Sequence, residues 1–343
     1  MSRSLDTLPT EIICEVVKIL PFDDARNFLS CGSSVREPGK HAFNQNCFRV
    51  LPVRLSHDGL LKAEQLLRME PSCFIQKIFI KMEAFRHTNF SAYEDRLGFI
   101  LRRAFQASTK INTITIHYDP DFYDPGLLAP CLNTEVLARA LDTTLEHQQT
   151  TELRIQIQNI RLEDCRALSR IGQSFLYRVC SLVLRIEEYD WAKSFQSLTS
   201  LAKNLTEFSV INNAPDLLTT SAIQKIIAKI NTQTLESITL AGVSISINKL
   251  TGSLSPLKAS LKKLQLQRIN FRRESFETFI HYLSDNFSSD GFSLSLEDIW
   301  ETDRRGTEYE IHDPMSYWSN PRPVSANQEG HIIPASQLFT YSE

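Results

Sequence analysis

The feature that most constrains this chain is a six-residue frame, apolar at its first, fourth and sixth positions, that returns along most of its length. It is clearest in Leu261-Lys262-Lys263-Leu264-Gln265-Leu266, and it recurs at Leu235/Ile238/Leu240, Leu205/Phe208/Val210 and Val179/Leu182/Leu184. Looser copies are Thr150/Leu153/Ile155, Ile111/Ile114/Ile116, Ile75/Ile78/Ile80 and Gly291/Leu294/Leu296. Successive frames begin 26 to 39 residues apart. Steps of ~20–50 residues that each hold one strand and one helix mark a solenoid. Side chains alternate across a strand, so the fourth and sixth residues face inward and those between them face outward. One such unit cannot bury its inner face alone, and neighbours must stack. The expected fold class is therefore α/β, with parallel strands alternating with helices.

Each frame is followed by a helical pattern. Leu60/Leu61/Ala63/Leu66/Leu67, Val136/Leu137/Ala140/Leu141/Leu145 with Asn133 as cap, Ile223/Ile226/Ile227/Ile230 and Phe276/Phe279/Ile280/Leu283 all carry the spacing of a buried helix face. Phe48 to Leu55 alternates apolar and polar residues 27 positions before Ile75, so residues 48–70 read as a first or capping repeat.

The beginning of the chain does not fit this frame. Leu8-Pro9-Thr10-Glu11-Ile12-Ile13 leads into Val16, Val17, Ile19 and Leu20 at helical spacing. Proline suits the first helical position. Pro21 stops the helix, and Asp23 is placed to cap a second one from Asp24 to about Ser30. Three short helices in roughly forty residues bury little core, and such a piece tends to need a partner surface.

Leu8-Pro9-x-Glu11-Ile12-Ile13, Ile19-Leu20-Pro21-Phe22-Asp23-Asp24 and Ser34-Val35-Arg36-Glu37 together resemble an F-box. The repeat frame resembles that of leucine-rich-repeat strands, and an N-terminal F-box before such repeats is a common family arrangement. The resemblance implies a module over residues 5–47, a leucine-rich-repeat-like solenoid over 48–300 and an irregular tail over 301–343. It also implies docking onto a Skp-family adaptor, and through it onto a cullin–RING ubiquitin ligase. The adaptor contacts carry over to Leu8, Pro9, Ile12, Val16, Leu20, Cys31 and Val35. Where such modules usually read Val-Ser-Lys-Arg-Phe/Trp, this chain has Cys31-Gly32-Ser33-Ser34-Val35. Those smaller side chains bury less area, which weakens the expected contact. The alternative is a repeat scaffold without a ligase role, whose N-terminal helices are only a cap.

The outward strand positions form the expected target-binding face: Phe79, Lys81, His117, Arg154, Gln156, Gln158, Arg185, Glu187, Ile211, Lys263, Gln265 and Gln267. A second feature is basic. Lys258, Lys262, Lys263, Arg268, Arg272 and Arg273 fall in a stretch without an acid, suited either to a phosphorylated motif or to a solvated rim.

The remaining signals are negative. No Gly-rich phosphate loop, Gly-x-Ser-x-Gly elbow or His-x-x-x-His pair occurs, so no catalytic site, metal or cofactor is expected. The pairing of Cys165 with His147, and the acids Asp119/Asp121/Asp124 and Glu187/Glu188/Asp190, lack a local catalytic signature. A net charge of −3 speaks against a chain built for nucleic acid or an anionic membrane. Seven cysteines without a Cys-x-x-Cys pair suit reduced thiols in the cytoplasm or nucleus, and no apolar run is long enough to span a bilayer.

Overall fold

Three helices open the chain: α1 (Thr10–Ile19), α2 (Phe22–Leu29) and α3 (Ser33–Cys47). In α1, Glu11 lies in the first turn and Lys18 in the last, each complementing the helix dipole. Pro9 and Pro21 sit one position before α1 and α2 in extended conformation, so each proline marks an entry without occupying the first turn. Asp23 is accordingly no cap. It stands beside Asp24 in the first turn of α2, where negative charge is still favoured. Ile13 and Val17 of α1 close a core with Ala25, Leu29, Val35 and Ala42, and Leu8, Leu20, Phe28 and Phe43 pack around its edge.

The structure is a computed structural model that describes residues 8–82, 90–119, 130–146, 153–161, 164–165, 168, 176–186, 202–212, 218–219, 227, 230, 233–272, 276–287, 292–302, 307–312 and 314. By its internal contacts the chain divides into two compact units, Met1–Gln156 and Ile157–Glu343.

In the first unit the three helices are followed by β1 (Val50–Arg54), α4 (His57–Leu67), β2 (Lys77–Met82), α5 (Phe90–Ala107), β3 (Thr113–Tyr118), α6 (Pro130–Glu146) and the start of β4 (Arg154–Ile160). The pairing is parallel and follows chain order, with Leu51 opposite Ile78 and Ile78 opposite Ile114. The predicted frames are the buried ones: Ile75, Ile78, Ile80, Ile111, Ile114, Ile116, Leu153 and Ile155 are all buried. Each such side chain contributes about 1.5–3 kcal/mol by leaving water. The main-chain tie one residue before each strand also repeats. Lys77 N–H donates to Arg49, Asn112 to Gln76, and Arg154 to Asn112. Two helix expectations change. Leu61 is exposed on α4, and α6 opens at Pro130, which places Asn133 inside the helix and not at its cap.

The second unit continues the same plan with β5 (Val179–Ile186), β6 (Glu207–Asn212), β7 (Leu218–Thr219), β8 (Ser237–Ile245), α7 (Ile247–Leu254), β9 (Lys263–Arg272), α8 (Phe276–Phe287), β10 (Ser293–Thr302) and β11 (Glu308–Glu310). β5, β6, β8, β9 and β10 pair in parallel with Leu182, Phe208, Ile238, Leu264 and Leu294 in one row. In the middle of the later strands the alternation slips by one residue. Leu240 and Val243, Leu266 and Ile269, and Leu296 and Ile299 are consecutive inward residues three positions apart. The extra residue is Gly242, Arg268 or Asp298, each with positive φ (70°, 50° and 51°). Asn159, between Ile157 and Ile160, repeats the device at φ 59°.

The region from residue 301, read from its sequence as irregular, begins in regular structure. β10 runs through Thr302, and β11 returns antiparallel to it with Trp300 opposite Glu310. Asn270 holds this return. It donates to Glu308 Oε1 at 2.9 Å and accepts from Thr302 Oγ1 at 2.7 Å. Tyr317 and Trp318, the expected anchors of the tail, lie outside the described residues.

Candidate functional site

Two surfaces bear on binding. The first is the outer stripe of α1. Pro9 and Ile12 are exposed, Val16 is half-buried, and Ile19 is the most exposed large hydrophobic side chain described, at 79%. Positions 12, 16 and 19 follow helical spacing and share one face. The neighbouring Ile13 and Val17, at 2% and 0% exposure, face the module's own core. Of the other expected contacts, Leu8 and Leu20 are half-buried against that core, and Cys31 is exposed with its thiol on the Asn27 carbonyl at 3.5 Å. Val35 is fully buried, so it is a core residue and reaches no partner while the module is folded. Ile19, at helical spacing from Ile12 and Val16, extends this exposed stripe by one turn beyond the expected contacts.

The second surface is the open face of the sheet. In the first unit its rows are Val50–Lys77–Thr113, Pro52–Phe79–Thr115 and Arg54–Lys81–His117. Phe79 and His117 stack with ring centroids 5.9 Å apart, and Thr115 Oγ1 donates to Gln156 Oε1 at 3.0 Å. Lys81 forms an ion pair with Asp119, the residue after β3, which gives that acid a structural partner. Arg154 is exposed at the start of β4, while Gln156 and Gln158 are half-buried.

In the second unit the corresponding rows are Ser181–Glu207–Ser237–Lys263–Ser293, Val183–Ser209–Thr239–Gln265–Ser295 and Arg185–Ile211–Ala241–Gln267–Glu297. Hydrogen bonds link Thr239 to Gln265 at 3.1 Å and Gln267 to Glu297 at 3.2 Å. Glu187 lies outside the described residues, as do His147, Asp121, Asp124, Glu188, Asp190 and Arg273.

The basic stretch does not gather into one site. Lys258 sits over the Tyr282 ring at 5.9 Å, Lys262 pairs with Glu236 at 2.8 Å, and Arg268 donates to the Asn212 carbonyl at 2.7 Å. Lys263 stands exposed on the outward strand face.

Elsewhere in the first unit, Lys18, Ala42, Gln45, Asn46, Arg49 and Gln76 line a shallow cavity of about 230 Å³. Asn46 Nδ2 donates to the Lys18 carbonyl at 3.0 Å, and Arg49 Nη2 to Gln76 Oε1 at 3.1 Å. On the helix side, Arg96 donates to Glu64 at 2.6 Å and holds that carboxyl below its ordinary range. Among the described residues no three His, Cys, Asp or Glu side chains come together as metal ligands, and no helix is long and apolar enough to cross a membrane. Cys165 is buried, with its thiol on the Arg161 carbonyl at 3.6 Å.

Compared with protein-family profiles and with curated proteins, the sequence finds no match.

Proposed function

We propose that the chain is the target-recognition subunit of an SCF-type cullin–RING ubiquitin ligase. Its N-terminal helices act as an F-box on a Skp-family adaptor, and its strands and helices form a leucine-rich-repeat-like solenoid that holds a target protein. The observation that carries this reading is the stripe Pro9, Ile12, Val16 and Ile19. α1 closes its own core through Ile13 and Val17 and still presents this second apolar face. Each Å² of apolar surface covered there is worth about 25 cal/mol, so an uncovered isoleucine stripe favours a partner. The chain then makes and breaks no bond. It raises the local concentration of target lysines near a ubiquitin-loaded enzyme, in the cytoplasm or the nucleus.

The test is capture of the full-length chain on a purified Skp-family adaptor. Wild type binds, and Ile12→Asp/Ile19→Asp does not, although its melting temperature is preserved because both side chains are exposed. Failure of folded wild-type protein to bind ends the ligase reading and leaves a repeat scaffold.

A further inference from the structure

The four strands of the first unit's open face carry an unbalanced charge. β1, β2, β3 and the first unit's share of β4 read VLPVR, KIFIKM, TITIHY and RIQ, with Arg54, Lys77, Lys81 and Arg154 as cations and no carboxylate. In the second unit, β10 and β11 read SLSLEDIWET and EYE and show the reverse, with carboxylates and no cation. β9, which pairs with β10, reads KLQLQRINFR with cations and no carboxylate, so the strands of the second unit are mixed in charge.

Register places the cations around an apolar centre. Lys77 lies opposite Thr113, and Arg154 is tied through its N–H to Asn112 just as Lys77, opposite Val50, is tied to Arg49, which puts Arg154 opposite Thr113 as well. Lys77 and Arg154 therefore stand two strands apart in one row, about 10 Å. The next row holds Phe79, stacked on His117. Lys81 is already matched by Asp119. Lys77 and Arg154 make no side-chain hydrogen bond or ion pair among the described residues, so their charge is available to a ligand.

From this geometry we infer that the first unit's strand face binds an acidic, extended peptide segment of the target. Carboxylates meet Lys77 and Arg154, and an apolar side chain rests on the Phe79–His117 pair. The inference rests on the receptor reading for what the peptide belongs to. A nucleic acid fits less well, because stable binding of that kind uses roughly 6–10 phosphate contacts, more than these cations supply. Exposed charge pairs act mostly on encounter rate and are screened by salt, so the interaction weakens as ionic strength rises.

The experiment uses the full chain and fluorescein-labelled peptides of roughly ten residues, ample at ~3.3 Å per residue to cross strands ~4.8 Å apart. One is rich in Asp and Glu around a single Leu. Its counterparts replace the acids with Asn and Gln, or with Lys. Anisotropy should show binding of the acidic peptide alone. Lys77→Glu/Arg154→Glu should weaken it about tenfold or more, while Lys249→Glu on α7 leaves it unchanged.

Equal binding of the neutral peptide, indifference to the double reversal, or tighter binding of a single-stranded oligonucleotide at the same salt overturns the inference. A melting temperature unchanged in the double variant makes its loss of binding specific. Adaptor capture, run on the same proteins, separates the two proposals. Peptide binding without adaptor binding removes the ligase and keeps the acidic-peptide face. Adaptor binding without peptide binding does the opposite.

Discussion

Arg268 donates from Nη2 to the main-chain oxygen of Asn212 at 2.7 Å, across 56 positions of chain. The contact passes beside Gly242, where an added Cβ would lie 2.3 Å from that same oxygen and 2.8 Å from Arg268 Nη2. Asn212 in turn donates its side-chain amide to the Gly242 carbonyl at 3.0 Å. β6, β8 and β9 are thus pinned together at the point where the later strands take their extra residue.

Gly242→Ala should therefore be among the most damaging small substitutions in the chain. The positive φ costs an alanine about 1 kcal/mol or more, and displacement of a buried carbonyl and its arginine adds to that. A loss of roughly 2–4 kcal/mol in a urea melt is expected. Arg268→Met, which keeps the stem and removes the charged hydrogen bond, should cost about 1–3 kcal/mol. An unchanged midpoint in both variants would show that the junction contributes nothing to stability.

Ile12 and Ile13 are neighbours in sequence with opposite roles. Ile13→Ala empties a closed core and should cost about 2–5 kcal/mol. Ile12→Ala removes a half-exposed side chain and should stay within about 0.5 kcal/mol. Chemical denaturation of the two variants checks the contrast. A large loss at Ile12 would mean that its face is covered within the chain, which would also undercut the docking proposal.

The strand frames were legible because alternation is a local property of an extended backbone. Ile114 and Ile116, or Leu264 and Leu266, need no partner to be recognised as inward. The positive-φ positions were legible too, but only in a changed spacing. Leu266 to Ile269 and Leu240 to Val243 step by three where the frame steps by two, and the chemistry of Arg268 or Asp298 gives no warning of a conformation that favours glycine. Val35 misled because resemblance transfers positions without transferring burial. The basic face was invisible for another reason. Lys77 and Arg154 are far apart in sequence, and only the register of β2, β3 and β4 brings them into one row.

The ion pair between Glu64 and Arg96 predicts a direction of pH dependence. Hydrogen bonding to Arg96 lowers the Glu64 pKa in the folded state, with the two side chains 15% and 25% exposed. A depressed carboxylate stabilises the fold above its unfolded pKa, ~4.3 for glutamate. That contribution fades as pH falls through the folded value. At this exposure it amounts to about 1 kcal/mol or less. Thermal melts between neutral pH and pH ~3.5 should therefore fall more steeply for wild type than for Arg96→Met. Parallel curves would show that the pair contributes nothing.

Asn270 predicts where the sheet should come apart at its C-terminal edge. It is 4% exposed, and it is bonded on one side to Thr302 of β10 and on the other to Glu308 of β11. Asn270→Ala removes both bonds and leaves the Thr302 hydroxyl and the Glu308 carboxylate without this partner, a loss of about 1–3 kcal/mol. β11 is short: it pairs over Glu308–Glu310, with one further main-chain bond from Ile311 N–H to Ile299, so few bonds oppose its opening. Hydrogen exchange should therefore speed up first at the amides of 308–311, while those of β9 hold nearly wild-type protection. Uniform loss across β8, β9 and β10 would instead make Asn270 a brace of the whole second unit.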